Sequence, residues 1–185
     1  MSIRVLIADD HKIMLAGLRS LLEKQTDIEV VGEADNGRKA VQMAQGKKPD
    51  VVVMDVSMPD LNGIEATKQI IESLPETRVI ALSMHSDKRF VMGMLRAGAS
   101  GYLLKDCASQ ELANAIVQVA RGKKYLSPEI TGVVIDDFML GGGSSEEVDC
   151  CTAVEPQGTG SFTAHCRRLV NKTDCLPPLC QHKNN

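Results

Sequence analysis

The sequence lacks the long apolar run that a membrane-spanning helix needs, and its start, MSIRVLIADD, turns acidic too early for a secretory signal peptide. A membrane protein and a secreted protein are both disfavoured, and we expect a soluble, cytoplasmic chain without a membrane partner. The sequence also lacks a strong excess of either charge, since its formal net charge is −3 at pH 7. Composition alone therefore indicates no class of binding partner, and any such indication has to come from the sequence pattern.

The chain divides near Gly141 into a patterned part and an unpatterned part. The residues before it alternate strand and helix patterns and contain one of the six cysteines, Cys107, whereas residues 141–185 show no such order. We expect one domain at residues 1–122 and a linker at 123–140 that could be helical from Ser127-Pro128 onward. Residues 141–185 form an irregular tail with few large apolar groups, which favours disorder.

The cysteines and histidines of the tail leave a zinc site and disulfides open as alternatives. The residues of ligand type are His165, Cys166, Cys175, Cys180 and His182. However, the sequence contains no Cys-x-x-Cys pair, and this spacing fits no common zinc module. We therefore favour disorder over metal binding for the tail.

Five short apolar runs alternate with five helical patterns within the first 122 residues. The helical patterns place apolar residues three and four apart, as at Met14, Leu18 and Leu21. The strand-like runs cover residues 3–8, 28–34, 50–54, 79–82 and 102–104. This alternation predicts an α/β fold, a doubly wound five-stranded parallel sheet of flavodoxin-like order 2-1-3-4-5 with helices on both faces.

Acids follow two strands that this order makes neighbours. Asp9 and Asp10 follow the first strand, and Asp55 ends the third in the stretch PDVVVMDVSMPDLNG. Three carboxylates at one sheet edge repel one another, and a hard divalent cation such as Mg²⁺ relieves that repulsion. We expect Asp10 and Asp55 to bind Mg²⁺ directly and Asp9 partly through water, with the backbone carbonyl of Ser57 as a further ligand. The alternative is that Asp9 or Asp10 merely caps the following helix.

A hydroxyl and a lysine end the two remaining strands on the same side of the predicted sheet. Ser83 ends the fourth strand, and Lys105 ends the fifth, where it would face Asp55. Carboxylate, metal, ammonium and hydroxyl together suit phosphoryl transfer, because cations offset the charge on the transferred group while the carboxylate attacks it. The four strand ends therefore predict a phosphoacceptor at Asp55.

These motifs resemble the receiver domain of two-component response regulators from Ile3 to about Gly122. The resemblance rests on Asp9-Asp10, on Asp55 before Met58-Pro59 and Asn62-Gly63, on Ser83, and on Lys105 in YLLKD. It implies that a sensor histidine kinase phosphorylates Asp55 with Mg²⁺ at Asp9, Asp10 and Asp55, and that Ser83 and Lys105 contact the phosphoryl group. It also implies that Tyr102 is the aromatic switch residue, with packing at a strand edge as the alternative. His85 is expected to tune dephosphorylation or to be exposed.

The stretch GASGYLLKD and the following KKYLSPEI are most similar to the NarL/FixJ subfamily, whose members carry a DNA-binding LuxR-type helix-turn-helix after a linker. Here the tail shows no amphipathic repeat, and it has four Lys/Arg against five Asp/Glu. Back-translating Val154–Asn185 and sliding one base forward permits a string that resembles the start of that helix-turn-helix. We therefore hypothesise that a frameshift replaced the DNA-binding domain, and we expect no DNA binding by this chain.

Two other functions stay open alongside a receiver that once controlled transcription. One is a stand-alone receiver that acts by protein contact or as a phosphate sink. Whether phosphorylation produces a homodimer is left open by the sequence. The other is a phosphatase of the haloacid-dehalogenase type, which also uses Asp, Mg²⁺, Ser/Thr and Lys. Such enzymes place a second acid two residues after the nucleophile, where this chain has Ser57. We therefore expect a signalling domain limited to self-phosphotransfer and autodephosphorylation.

Overall fold

A computed structural model describes residues 2–84 and 86–141. His85 and residues 142–185 lie outside the described residues, and so do the predictions of disorder, zinc binding and frameshift for the tail. No helix in the part of the chain that the structure describes is long and apolar enough to cross a membrane.

The fold is a parallel sheet of the order β2-β1-β3-β4-β5-β6, with helices in the connections. The strands are β1 (Ile3–Ala8), β2 (Ile28–Ala34), β3 (Val51–Asp55), β4 (Arg78–Ser83), β5 (Gly101–Leu104) and β6 (Tyr125–Leu126). The helices are α1 (Lys12–Leu22), α2 (Gly37–Lys47), α3 (Gly63–Ser73), α4 (Lys88–Arg96), α5 (Ala108–Ala120) and α6 (Pro128–Gly141). The predicted doubly wound α/β class and the order of the first five strands are confirmed.

The predicted strand count of five is wrong, because Tyr125 and Leu126 add a sixth strand to the edge of the sheet. They pair in parallel with Gly101 and Tyr102 of β5. The backbone N–H of Tyr125 donates to the Ser100 carbonyl at 3.0 Å, and that of Ser127 donates to the Tyr102 carbonyl at 3.1 Å. A strand of two residues is too short to show a period in the sequence, since its pairing depends on the neighbouring edge.

Helices cover the sheet on both faces. Successive side chains of each strand point to opposite sides, so the apolar strands give the sheet two apolar faces, and each is buried under helices. One core layer, beneath α2, α3 and α4, takes Leu6, Val52, Met54, Ala81 and Tyr102 from the strands. The other layer, beneath α1 and α5, takes Val5, Ile7, Val51, Val53, Ile80, Leu82 and Leu103. The central strand β3 is buried along its whole length, which explains its uninterrupted apolar sequence.

Asn62 and Gly63 hold the start of α3 close to the end of β3. The Asn62 side chain accepts a hydrogen bond from the backbone N–H of Glu65 at 2.9 Å, which caps the helix. The backbone N–H of Gly63 donates to the Val56 carbonyl at 3.0 Å. A Cβ atom on Gly63 would stand 2.0 Å from the Asp55 carbonyl oxygen. The helix therefore approaches Asp55 this closely only because glycine occupies its first position.

Helix α6 packs on the body of the sheet, within the segment predicted as a linker. Ile130 is fully buried in the core layer that contains Tyr102, and Val134 packs against the same layer. Lys88 of α4 forms an ion pair with Asp137 at 2.5 Å. Residues 123–137 therefore contribute packed side chains to the folded unit, in addition to extending the chain.

Candidate functional site

The carboxyl ends of β1 and β3 bring the predicted acids together. Ala8 pairs with Met54 in the parallel ladder, so the residues that follow, Asp9 and Asp55, stand next to each other at the sheet edge. Both carboxylates are almost completely buried, whereas the side chain of Asp10 is 28% exposed. The cluster is therefore enclosed on the protein side and open to solvent at Asp10.

Lys105 joins the two buried acids. Its Nζ atom lies 2.7 Å from Asp9 Oδ2 and 2.9 Å from Asp55 Oδ2, and its side chain is 5% exposed. Burial by itself lowers the pKa of Lys105, but hydrogen bonds to Asp9 and Asp55 and their negative charges outweigh burial and raise that pKa. The two acids therefore favour the charged form of Lys105, whereas burial without a partner would disfavour it.

His11 extends the acidic cluster, although no sequence motif predicted it as a site residue. Its ring Nδ1 lies 3.2 Å from Asp9 Oδ1 and 2.8 Å from Asp10 Oδ1. One ligand atom each from Asp9, Asp10, His11 and Asp55 can be chosen so that all lie within 4.8 Å of one another. The only signal in the sequence was a histidine directly after the acid pair Asp9-Asp10. That signal is too weak to predict a site residue, because a polar residue at the start of a helix commonly has other roles.

The donor set fits a hard divalent ion. Mg²⁺ takes oxygen ligands and keeps several waters, and it is commonly held by one or two carboxylates. The converging carboxylates of Asp9, Asp10 and Asp55 supply the oxygens, and the exposed side of Asp10 leaves space for water. Ser57 contributes a backbone N–H that donates to Asp55 Oδ1 at 3.3 Å, whereas metal binding by its carbonyl stays a prediction.

Ser83 and Tyr102 lie together beside this cluster. Ser83 ends β4, one residue beyond Leu82, which pairs with Asp55, and it is 1% exposed. Tyr102 is fully buried and shares a hydrogen bond with Ser83. Burial raises the pKa of the Tyr102 phenol, the Ser83 bond partly opposes that rise, and the negative charges of Asp55 and Asp87 add to it. Tyr102 is thus buried beside Ser83, and its role as the switch residue stays a prediction.

Comparison with known proteins identifies the same region. Residues 5–117 match the family described as the response regulator receiver domain. The chain is 38% identical over 136 residues to the transcriptional regulatory protein DegU of Brevibacillus brevis, covering 74% of this chain and 58% of DegU. It is 39% identical over 130 residues to the response regulator protein VraR of Staphylococcus aureus, covering 70% of this chain and 62% of VraR.

Solved structures agree with the sequence relatives. The fold is similar to a LuxR-family two-component response regulator from Aurantimonas sp. SI85-9A1, with a TM-score of 0.71 and 33% identity. That comparison covers 75% of this chain and 99% of the solved chain. The chain spans 58% to 63% of the length of the first curated relatives it matches. The chain therefore belongs to the response regulator receiver domain family, and its relatives are NarL/LuxR-type regulators.

Proposed function

We propose that Asp55 accepts a phosphoryl group from a sensor histidine kinase, with Mg²⁺ held at the acidic cluster. The observation that supports this most is the ion pair of Lys105 with Asp55 beside Asp9 and Asp10, at the carboxyl edge of a parallel sheet. Open α/β folds bind their ligands at this edge. A buried carboxylate with a lysine at one oxygen and an acidic, partly open cluster beside it has the parts of a phosphoacceptor.

In the transfer step, a carboxylate oxygen of Asp55 forms a bond to phosphorus as the bond between phosphorus and the donor nitrogen breaks. The electron pair of the broken bond stays with the donor imidazole. The ammonium of Lys105, already 2.9 Å from Asp55 Oδ2, offsets charge on the phosphoryl oxygens. Mg²⁺, when bound, supplies further positive charge; Asp9, Asp10, Asp55 and the Ser57 carbonyl are the groups that would hold it.

The response to phosphorylation begins at Ser83. An acyl phosphate adds charge and acceptor oxygens, and the Ser83 hydroxyl and Lys105 ammonium are the donors that follow it. Ser83 now shares a hydrogen bond with the buried Tyr102, so a shift of Ser83 changes the surroundings of that ring. We propose that phosphorylation shifts the population toward a second conformation of the loop at 84–87 and of the face formed by α4, β5 and α5.

The name of the transcriptional regulatory protein DegU assigns control of transcription to that relative. For this chain we propose a cytoplasmic receiver whose DNA-binding domain has been lost, with the kinase as partner and a homodimer on phosphorylation as an open state. Its chemistry would be limited to accepting the phosphoryl group and releasing it again by hydrolysis.

Incubation with Mg²⁺ and a small phosphodonor, followed by intact mass measurement, tests the proposal. The wild-type chain should gain one phosphoryl adduct, and Asp55→Asn should gain none. Asp60→Asn is the matched control, because Asp60 is exposed and lies in the left-handed region at φ 64°, where Asn is well tolerated. The proposal fails if the wild-type chain gains no adduct or if Asp55→Asn gains one.

A further inference from the structure

His11 points a ring nitrogen at the acidic cluster from its open side. Nδ1 lies 2.8 Å from Asp10 Oδ1 and 3.2 Å from Asp9 Oδ1. The ring is positioned by the start of α1, where the backbone N–H of His11 donates to the same Asp9 oxygen at 2.9 Å. The residue thus contacts Asp9 through both its backbone and its ring, and Asp10 through its ring.

The Nδ1 atom therefore stands between an oxygen of Asp9 and an oxygen of Asp10. Lys105 contacts the other oxygen of Asp9, Oδ2. Lys105 contributes one positive charge to three carboxylates, so the cluster keeps an excess of negative charge. A cation bound at this cluster would meet the Nδ1 lone pair together with carboxylate oxygens.

The resulting donor set differs from one of oxygens alone. Mg²⁺ prefers oxygen ligands, whereas first-row divalent transition ions accept imidazole nitrogen together with carboxylate. Asp9, Asp10, His11 and Asp55 offer three carboxylates and one imidazole within 4.8 Å. Such a set discriminates between ions of the same charge by the nitrogen that it adds.

We propose that His11 Nδ1 is a ligand for a divalent transition ion such as Mn²⁺ at the phosphoacceptor site, giving this site a preference for such ions over Mg²⁺. In this arrangement the neutral ring offers its Nδ1 lone pair to the ion and carries its one N–H proton on Nε2. The inference rests on the proposed metal site at Asp9, Asp10 and Asp55, and it adds a nitrogen ligand from this chain.

Pulsed electron paramagnetic resonance of Mn²⁺ bound to the full chain tests the proposal, because it detects nitrogen coordinated to the ion. Mn²⁺ is the probe since softer ions would also engage the cysteines of the tail. Histidine nitrogen coupling should be present, should change when the protein contains isotope-labelled histidine, and should disappear in His11→Ala. His182→Ala, which removes a histidine of the tail, is the matched control and should leave the coupling unchanged.

Titrations of Mn²⁺ and Mg²⁺ separate ligation from an indirect effect on the acids. We expect His11→Ala to weaken Mn²⁺ binding about tenfold and to leave Mg²⁺ affinity within about twofold. Equal weakening of both ions would show that His11 only orders Asp9 and Asp10, and would overturn the ligand assignment.

The inference and the proposed function fail in different ways. If Asp55→Asn weakens Mn²⁺ binding but the wild-type spectrum contains no histidine nitrogen coupling, His11 is not a ligand and the proposed metal site stands. If Asp10→Asn and Asp55→Asn both leave Mn²⁺ binding unchanged, the metal site itself is wrong, and the inference about His11 falls with it.

Discussion

Gly63 controls how closely α3 approaches Asp55, the proposed phosphoacceptor. Its position at the start of the helix leaves no room for a side chain, because a Cβ atom would stand 2.0 Å from the Asp55 carbonyl oxygen. This contact is with backbone, so it cannot be relieved by rotating a flexible side chain. Any residue other than glycine has to push the helix away from the end of β3, and with it the loop that follows Asp55.

We predict that Gly63→Ala lowers the free energy of unfolding by about 1–3 kcal/mol, the usual cost of forced overpacking. Gly17→Ala is the control, since a Cβ atom on Gly17 in α1 would meet nothing within 4 Å. That change should raise the free energy of unfolding by about 0.5–1 kcal/mol through helix propensity. Urea denaturation followed by circular dichroism measures both, and equal effects of the same sign would contradict the account.

Tyr102 gives a prediction about pH. Burial raises the pKa of its phenol above the usual 10.0, so the unfolded chain ionises this group before the folded protein does. Ionisation of Tyr102 therefore leaves the free energy of unfolding unchanged below pH 10. Above pH 10 that free energy falls with rising pH in wild type relative to Tyr102→Phe. The ultraviolet difference titration of wild type against Tyr102→Phe should show a midpoint above 10.0, and a midpoint below that value would contradict the burial argument.

At the level of single residues, the sequence predicted which strand-end side chains meet. It did not predict the contacts that depend on local geometry. Asp55 ends a strand, and Asp9 and Lys105 each directly follow one. Parallel pairing therefore predicts that they meet, and the structure places Lys105 against both acids. The ring of His11 is directed by the turn into α1, and no periodicity encodes that turn. The full burial of Tyr102 depends on the helices that cover it, which a strand pattern does not specify.

At the scale of elements, α6 begins at Pro128, within the segment predicted as a linker that could be helical. The segment predicted as a linker contributes Ile130, which is fully buried in the core layer with Tyr102. Its ion pair between Lys88 and Asp137 is half exposed on the lysine side, so it adds little stability. The packing of α6 therefore depends on its apolar contacts with the layer beneath α4.

We predict that Ile130→Ala lowers the free energy of unfolding by about 2–5 kcal/mol, as for other buried isoleucines. Ile135→Ala is the matched control on the same helix, since Ile135 is 54% exposed, and it should change stability by less than about 0.5 kcal/mol. Thermal or urea unfolding of the three proteins measures the difference. Similar small effects of both substitutions would show that α6 is a linker that does not stabilise the sheet.

The strands themselves were the most predictable elements. A run such as Val51–Asp55 is buried on both faces, so it is apolar throughout and is bounded by turn residues. The sixth strand, Tyr125–Leu126, was missed because two residues held by an existing edge have no pattern of their own. Length therefore separates the elements that the sequence predicts from those that only tertiary pairing creates.

For the whole molecule, the central question is what the receiver still controls. The tail carries four Lys/Arg against five Asp/Glu, which is a poor basis for binding a polyanion. We predict no sequence-specific DNA binding by this chain, phosphorylated or not, in an electrophoretic mobility assay against genomic fragments. Specific retention of a fragment that added salt does not abolish would contradict the loss of the DNA-binding domain.

The coding DNA tests the hypothesis that a frameshift replaced a DNA-binding domain. If the frame one base forward from Val154 continues as a LuxR-type helix-turn-helix, the chain derives from a complete regulator by a frameshift. If it does not, the tail is unrelated to that domain, and the stand-alone receiver becomes the better account of the chain. Neither outcome alters the site at Asp55, which lies wholly within the described part of the sheet.

Locating the phosphoryl group on the chain tests the central claim most directly. The chain is phosphorylated with a small phosphodonor and Mg²⁺, the acyl phosphate is reduced with borohydride, and the resulting homoserine is located by peptide mass mapping. The account predicts homoserine at position 55 and at no other acid. Homoserine at Asp9, Asp10 or Asp60 with Asp55 unmodified would contradict it, because the ion pair with Lys105 would then have failed to mark the phosphoacceptor.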